Sequence, residues 1–316
     1  LRKSSRQPDE IIVVADGCDD DSASVARRFG AQVIEFSKPR GPAAARNHAA
    51  ARAVGDILLF MDADVAFHPQ TIGQFVEFLE AHPAIHAVIG NYDEAPPGRG
   101  LLSRYKNLLQ HYVHLHAPEE AFTFWAACGA IRAETFRTVG GFDPSFRVPS
   151  IEDIELGYRL RSSGFRIAHR REILATHLKE WTAWSLLKSD LFRRAIPWTQ
   201  LLRRHGGLQD GLNIGRTERV KVVLVWLASA ALLGGFFSVW SIVLGLGLLL
   251  MVLWMNRGFL AFLLRREGWS VALVGGAWHL FYHWYCGLGF LLGHLSGSFQ
   301  RPPGSRARAA FPGRNE

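Results

Sequence analysis

Two stretches of this 316-residue chain contain no Asp, Glu, Lys or Arg: Val222 to Met255 and Val271 to Phe299. An apolar helix needs about 20 residues to cross a bilayer. The first stretch is long enough for two spans, with a weak break at Gly234-Gly235 and Ser238, and the second, about Val271 to Leu295, for one. The competing reading is a set of very hydrophobic core helices in a soluble protein, but uncharged runs of this length are rare outside membranes. His279, His283 and His294 fall in the last run and read as neutral histidines packed among helices. Trp226, Trp240, Trp254, Trp269, Trp278 and Trp284 suit interfacial placement.

The formal charge of +8 is compatible with nucleic acid, but its distribution points to a membrane surface and to no nucleic-acid partner. Arg203, Arg204, Arg216, Arg219 and Lys221 precede the first run, and Arg257, Arg265 and Arg266 lie between the second and third predicted spans. Both placements fit a cytoplasmic N-terminal domain followed by a hairpin of spans. Three spans would then put the basic tail, with Arg301, Arg306, Arg308 and Arg314, on the far side against the rule. Either the tail is an exception or one apolar segment is re-entrant or itself a hairpin. The tail's Pro, Gly, Arg and Ala content reads as disorder. Cys18, Cys128 and Cys286 form neither a disulfide framework nor a zinc spacing.

The polar N-terminal part is organised around Gly55 to Asp64. Its five-residue apolar run, Ile57 to Met61, reads as a buried strand and ends in two carboxylates one residue apart, Asp62 and Asp64. At the C-terminal end of a strand in an open α/β sheet, such a pair stands where ligands bind. Hard oxygen ligands suit Mg²⁺ or Mn²⁺ carrying a diphosphate; the alternative is a strand that simply ends in a polar turn. Upstream, Ile11 to Val14 is a strand closing on Ala15-Asp16-Gly17, Ser24 to Gly30 a short helix, and Gln32 to Phe36 the next strand. Gly41 to Val54 is an Ala-rich helix carrying Arg46 and Asn47, and Gln70 to Ala81 is an amphipathic helix. This alternation predicts a mostly parallel α/β sheet with Asp16, Asp62 and Asp64 at one edge. Asp16 there can accept the imide N–H of a pyrimidine base, or serve only an Asp-Gly turn. Ser150-Ile151-Glu152-Asp153 opens another helix, with Ser150 a plausible N-cap. The helix dipole alone favours acidic residues in that first turn.

Five motifs in this order, Glu-Ile-Ile-Val-Val-Ala-Asp-Gly, Gly-Pro-Ala-Ala-Ala-Arg-Asn, Leu-Phe-Met-Asp-Ala-Asp, Gly-Gly-Phe-Asp and Glu-Asp-Ile-Glu-Leu-Gly-Tyr-Arg-Leu, resemble the family 2 glycosyltransferases. The resemblance covers about residues 9–200. It implies an α/β fold of the GT-A type, a Rossmann-like nucleotide-diphospho-sugar transferase domain, followed here by C-terminal transmembrane helices. It implies a nucleotide-sugar donor (UDP- or GDP-linked), a divalent metal and inversion at the anomeric carbon. By resemblance, Asp16 contacts the base, Asp62 the ribose or metal, and Asp64 the metal. Asp153, of the Glu152-Asp153 pair, is the general base, and Arg46 lies near the nucleotide. The chain departs from the pattern at Ala15, where Asp is common, at Cys18, where Ser or Asn is usual, and in lacking the family's opening strand. It has no initiator Met, and residues 1–8 read as the end of a helix and a loop, as if it began inside the domain.

Residues 177–204 mix Trp, Leu and Arg as a helix at a membrane surface would. Arg193, Arg194 and Trp198 loosely resemble the Gln-x-x-Arg-Trp motif of membrane polysaccharide synthases. That match implies Arg194 at the diphosphate and Trp198 at the acceptor, beside simple interfacial anchoring. The expected organisation is a GT-A domain at 1–180 lacking its first strand, an interfacial junction at 181–219, about three spans at 220–298 and a basic tail at 299–316. The expected protein is a multi-pass enzyme of the plasma (inner) membrane with a cytoplasmic catalytic domain. It moves a hexosyl group to a lipid or membrane-linked glycan among membrane lipids. A processive polysaccharide synthase and a non-catalytic nucleotide-sugar-binding scaffold are the alternatives.

Overall fold

The computed structural model describes residues 1, 3–204 and 215–296. The basic tail with Arg301, Arg306, Arg308 and Arg314 lies outside the described residues. The described chain forms two compact units. The first comprises residues 1–93 and 118–177, the second 94–117 and 178–296. The second unit thus takes in a segment that the sequence reading assigned to the catalytic domain.

The first unit opens with a turn and loop rather than the end of a helix. It runs β1 (Ile12–Asp16), α1 (Ser22–Arg28), β2 (Gln32–Phe36), α2 (Pro42–Arg52), β3 (Ile57–Met61), β4 (Val65–Phe67), α3 (Thr71–Ala81) and β5 (Ala87–Tyr92). The chain then leaves for α4 (Leu101–Leu115) of the second unit. It returns as β6 (Glu120–Ala121), β7 (Cys128–Arg132), α5 (Ala133–Thr138), α6 (Glu152–Ser162) and β8 (Ile167–His177). The unit is mixed α/β, and the expectation of a mostly parallel sheet is corrected. β1 and β2 form their own parallel pair. The main sheet has the order β3-β7-β5-β8-β4 with β6 on β8, and only β5 and β8 run parallel within it. β3 is antiparallel to β7, with Leu59 opposite Ala130 and Met61 opposite Cys128. A short apolar run reports burial on both faces but carries no information on the direction of its neighbour.

Burial on both faces explains why the Ile57–Met61 run does not alternate. Ile57 and Leu59 pack on the core formed by Phe75 and Leu79 of α3 with Val88, Ala130, Ile173 and Ala175. Leu58 and Phe60 are buried, and the Phe60 ring lies 5.2–6.1 Å from those of Phe124, Phe136 and Phe142. A strand gripped on two sides is a rigid mount for the turn that follows it.

The second unit is helical: α4, α7 (Ala183–Lys188), a π-helical segment (Ser189–Ala195), α8 (Ile196–Arg204), α9 (Arg216–Leu233), a 3₁₀ turn (Gly234–Phe236), α10 (Val239–Met255) and α11 (Arg257–Leu295). α11 is broken at Gly268, which has φ 79°. Among the described residues one helix, residues 216–236 with its 3₁₀ turn, is long and apolar enough to cross a membrane. A second counts only if α10 and α11, bent by 65°, make one span. The three separate spans expected from the sequence reduce to one or two.

Polar side chains tie this unit together from inside. Lys106 Nζ of α4 donates to both carboxylate oxygens of Asp190, at 2.8 and 3.0 Å, and Tyr285 Oη donates to Asp190 Oδ2 at 3.0 Å. Lys106 and Asp190 are buried. Removing one partner of a buried pair strands the other charge, whereas replacing both by apolar groups is often neutral. Asp190→Ala should therefore lower unfolding stability by roughly 3–5 kcal/mol, and Lys106→Met with Asp190→Leu by far less. Thermal melts of the two variants in one detergent check this, and equal losses would refute it.

Candidate active site

In the first unit the guanidinium of Arg46, on α2, joins two of the sequence motifs. Its Nη2 donates to Asp62 Oδ1 at 2.7 Å and its Nη1 to Glu152 Oε1 at 2.9 Å. The next residue, Asn47, is buried and makes a reciprocal pair with Phe142: Nδ2 donates to the carbonyl at 2.8 Å, and Oδ1 accepts from the amide at 2.9 Å. One turn of α2 thus holds the Asp62 turn, the Gly-Gly-Phe turn and the start of α6. Arg159 of α6 fixes the Gly-Gly-Phe turn from the other side, donating to the carbonyls of Val139 and Gly141, each at 2.6 Å.

Asp62 and Asp64 flank the tight turn between β3 and β4, where the Val65 amide donates to the Asp62 carbonyl at 3.1 Å. Both side chains keep more than a third of their surface exposed, 37% and 38%. Asp64 lies 3.8 Å from Nε2 of His177. His177 is buried and stacks on Tyr92, with ring centroids 4.4 Å apart. Tyr92 meets Trp125 edge to face at 4.4 Å.

Glu152 and Asp153 occupy the first turn of α6. Ile151, not Ser150, is the N-cap residue, and the Ser150 amide donates to Glu152 Oε2 at 2.9 Å. Glu152 is buried and committed to Arg46. Asp153 is half-buried and accepts from the Ala126 amide at 3.3 Å and the Ile154 amide at 2.8 Å. One turn further along α6, Gly157 makes this approach possible. A Cβ there would fall inside the backbone of Thr123 and Phe124, so only glycine lets α6 lie against the 123–126 segment. Burial, followed by the neighbouring charge of Glu152, pushes the Asp153 carboxyl up to about 7; Arg46 and the Ala126 amide act against that rise.

Asp16, at the end of β1, spends its carboxylate on the chain itself. Oδ1 accepts from the Arg40 amide at 2.7 Å and Oδ2 from the Gly41 amide at 2.8 Å, just before α2. Each oxygen has a second lone pair for a ligand donor. Arg194 and Trp198 lie in the second unit. Arg194 stands 3.8 Å from Asp190, one helical turn earlier. The residues brought together are therefore Arg46, Asp62, Glu152 and Asp153, with Asp64 two positions after Asp62. Sequence reading passed over three contributors: Asn47 as a clamp, Gly157 as a contact surface and the Ala126 amide. The signal that could have found Gly157 is its place four residues after Asp153, on the same helical face.

Asp62 and Asp64 offer hard, solvent-accessible oxygens, and this donor set fits Mg²⁺ or Mn²⁺. Among the described residues no three His, Cys, Asp or Glu side chains converge to enclose an ion. Such a two-carboxylate site is completed by diphosphate oxygens and water, the usual habit of Mg²⁺.

The raised Asp153 carboxyl has a stability consequence. Between its ordinary range near pH 4 and about pH 7 the folded state binds the extra proton, so stability falls as pH rises through this window. Asp153→Asn should stabilise the fold at pH 8 by about 2 kcal/mol, allowing for partial solvent screening, and leave it unchanged at pH 4. Melting curves at the two pH values check this, and a variant equally or less stable at pH 8 would refute it.

Residues 1–140 match the family model for Glycosyl transferase family 2. A pre-mycofactocin glycosyltransferase of Mycobacterium tuberculosis is 28% identical over 55% of this chain and 39% of its own length. The succinoglycan biosynthesis protein ExoU of Rhizobium meliloti is 44% identical over 21% of each. The chain spans less than half the length of either relative. Among solved structures, the mannosyltransferase PcManGT from Pyrobaculum calidifontis, solved in complex with GDP-Man and Mn²⁺, superposes with a TM-score of 0.55 at 16% identity. The match covers 92% of this chain and 80% of the other, and it shows a shared fold. The family model lies over the first two carboxylate motifs and Arg46, so residues 1–140 carry a domain of the Glycosyl transferase family 2 type.

Proposed function

We propose that this protein is an inverting glycosyltransferase. It would move a hexosyl group from a UDP- or GDP-sugar to a lipid or membrane-linked glycan, with Asp153 as general base. The observation that carries the proposal is the Asp153 carboxyl. It is oriented by the Ala126 amide and raised to about 7 by burial beside Glu152. A base with that pKa is both available and effective near neutral pH. Asp153 takes the proton of the acceptor hydroxyl as its oxygen attacks the anomeric carbon from the face opposite the leaving diphosphate. A single displacement of this kind inverts the centre and needs no covalent nucleophile.

Asp62 and Asp64 would hold the divalent ion. When bound, it supplies Lewis-acid neutralisation of the departing diphosphate. Arg46 positions Asp62 and Glu152 rather than touching the reacting atoms. Asp16 orders the Arg40-Gly41 loop from which α2 begins, and its remaining lone pairs suit a base imide. PcManGT, a protein of the same fold, was solved with GDP-Man and Mn²⁺, and that pairing agrees with this donor class.

The membrane part of the proposal rests on the second unit. Residues 216–236 are long and apolar enough to enter a bilayer, and Arg216, Arg219 and Lys221 at their start favour the cytoplasmic face of an inner membrane. Arg194 and Trp198 are proposed at the diphosphate and acceptor.

The test is transfer by the full-length protein in lipid, with a panel of UDP- and GDP-sugars and Mn²⁺ or Mg²⁺. Turnover with one donor is expected. Asp153→Asn should lower kcat by about 100-fold or more while leaving donor binding in place, and retained turnover would remove Asp153 from the mechanism. Asp64→Ala should raise the Mn²⁺ concentration needed for half-maximal rate, and an unchanged metal requirement would remove Asp64 from the metal site. For the unmodified enzyme, kcat/KM should fall about tenfold per pH unit below a pKa near 7. A rate flat from pH 8 to pH 5 would contradict a base in this environment.

A further inference from the structure

α9 and α10 pack as an antiparallel hairpin along a narrow seam. Val225, Ala228 and Val252 are buried, and Gly245 faces Leu232 and Ala228. Many of the other large side chains of the hairpin face outward and are apolar: Val223, Leu227 and Leu233 on α9, and Val243, Leu244, Leu246, Leu250 and Trp254 on α10 are each more than half exposed. The tip is the most exposed part of all, with Phe236 at 92% and Phe237 at 94%. A surface of this kind calls for an apolar cover, and a bilayer supplies one.

The reach of the hairpin is short. The charged residues of α9 end at Lys221. From Val222 to the end of the 3₁₀ turn the chain rises roughly 24 Å, and α10 about 26 Å, at 1.5 Å per α-helical and 2 Å per 3₁₀ residue. The hydrocarbon core is about 30 Å thick. A turn delivered to water on the far side would carry polar residues, yet this one reads Gly-Gly-Phe-Phe-Ser-Val-Trp.

The turn also keeps its amides paired without water. Those of Phe237 and Ser238 donate to the Gly234 carbonyl at 2.9 and 3.2 Å, and that of Ser241 to the Ser238 carbonyl at 3.1 Å. The Trp240 amide donates to Ser238 Oγ at 3.2 Å. Paired amides are what backbone inside a bilayer requires.

α11 behaves differently. Beyond the break at Gly268 its buried face carries histidines that find polar partners. His279 Nδ1 pairs with Tyr105 Oη of α4 at 2.8 Å, and His283 Nε2 with Glu218 at 3.2 Å. Its last turns run beside α8, where Arg203 donates to the His294 carbonyl at 3.0 Å and Gln200 to Ser296 Oγ at 3.0 Å. α4 and α8 carry Arg104, Lys106, Arg203 and Arg204 and are not bilayer-spanning helices. The exposed face of α11 is an apolar stripe at helical spacing: Trp269, Leu273, Phe281, Leu291 and Leu295. An apolar stripe opposite a polar face is the mark of a helix lying in the interface plane. Arg257, Arg265 and Arg266, at its start, suit anionic headgroups.

We propose that this protein enters the bilayer from one side only, as a re-entrant α9–α10 hairpin whose Phe236–Phe237 tip stays within the lipid, while α11 lies along the same surface. Residue 296 then leaves on the side where residue 178 enters. The basic tail seen in the sequence thus falls on the cytoplasmic side, and the conflict with the positive-inside rule disappears.

This inference rests on the membrane reading above, and the test separates the two. Carbonate washing of membranes carrying the full-length protein should leave it bound; its release would overturn the membrane reading itself. Leu178→Cys, Ser238→Cys and Ser296→Cys are each made in a Cys18→Ser, Cys286→Ala background and probed with a membrane-impermeant maleimide on sealed vesicles of each orientation. Leu178→Cys and Ser296→Cys should label from the same side, and Ser238→Cys from neither until detergent is added. Phe237→Cys repeats the tip reading should Ser238 be needed as a cap. Labelling of the tip from the side opposite Leu178→Cys would show a spanning hairpin. Labelling of the tip from the same side would show a hairpin outside the lipid, and labelling of Ser296→Cys from the opposite side would show a spanning α11. Each of these overturns the proposal.

Discussion

The guanidinium of Arg46 is the fixed point around which the first unit's charged groups are arranged. It stands between Asp62, at the end of β3, and Glu152, at the start of α6, two carboxylates that are remote in sequence and mutually repulsive. Burial works against the charged guanidinium, and the charges of Asp62 and Glu152 more than offset it, so its pKa is raised. An arginine suits this place better than a lysine, because its planar fork serves two acceptors at once from one position. With both forks engaged, Arg46 leaves Asp153 close to a crowd of negative charge that is only partly neutralised. The electrostatic environment of Asp153 is thus a by-product of how α2, β3 and α6 are joined.

The strand order around that site was only partly legible in the sequence. The apolar run 57–61, the helix with Arg46 and the acidic start of α6 could be placed because each has a local cause: burial, composition, a favoured charge at a helix start. Pairing direction has no such local cause. β3 and β7 meet head to tail through residues about 70 positions apart, and nothing in either strand states that orientation. β5 and α4 were not read at all, although β5 is buried along its whole length. The roles of Asn47 and Gly157 were hidden for the same reason, since each acts on a segment far away in the chain.

The helical unit teaches the complementary lesson. Counting uncharged residues treats Val222–Met255 and Val271–Phe299 alike, yet the structure sets them apart. The hairpin turns its apolar side chains outward. α11 turns His279, His283 and Tyr285 inward to Tyr105, Glu218 and Asp190. Lys221 shows how far such inward pairing goes: it is buried, yet its ammonium meets Asn256 at 2.8 Å and Glu218 at 2.6 Å. Polar groups with full sets of partners hold helices in one register without needing water. Hydropathy alone cannot see such partners.

The two-sided burial of β3 has a further consequence, for how the family could diversify on this scaffold. The Asp62–Asp64 turn is mounted on a strand that cannot shift without disturbing two cores, so this end of the proposed site is mechanically conservative. Change is cheaper in segments with less packed around them, such as residues 143–150, where Val148 is 57% exposed. A scaffold built this way keeps the two carboxylates of the turn in place while the loosely packed segments around it remain open to substitution.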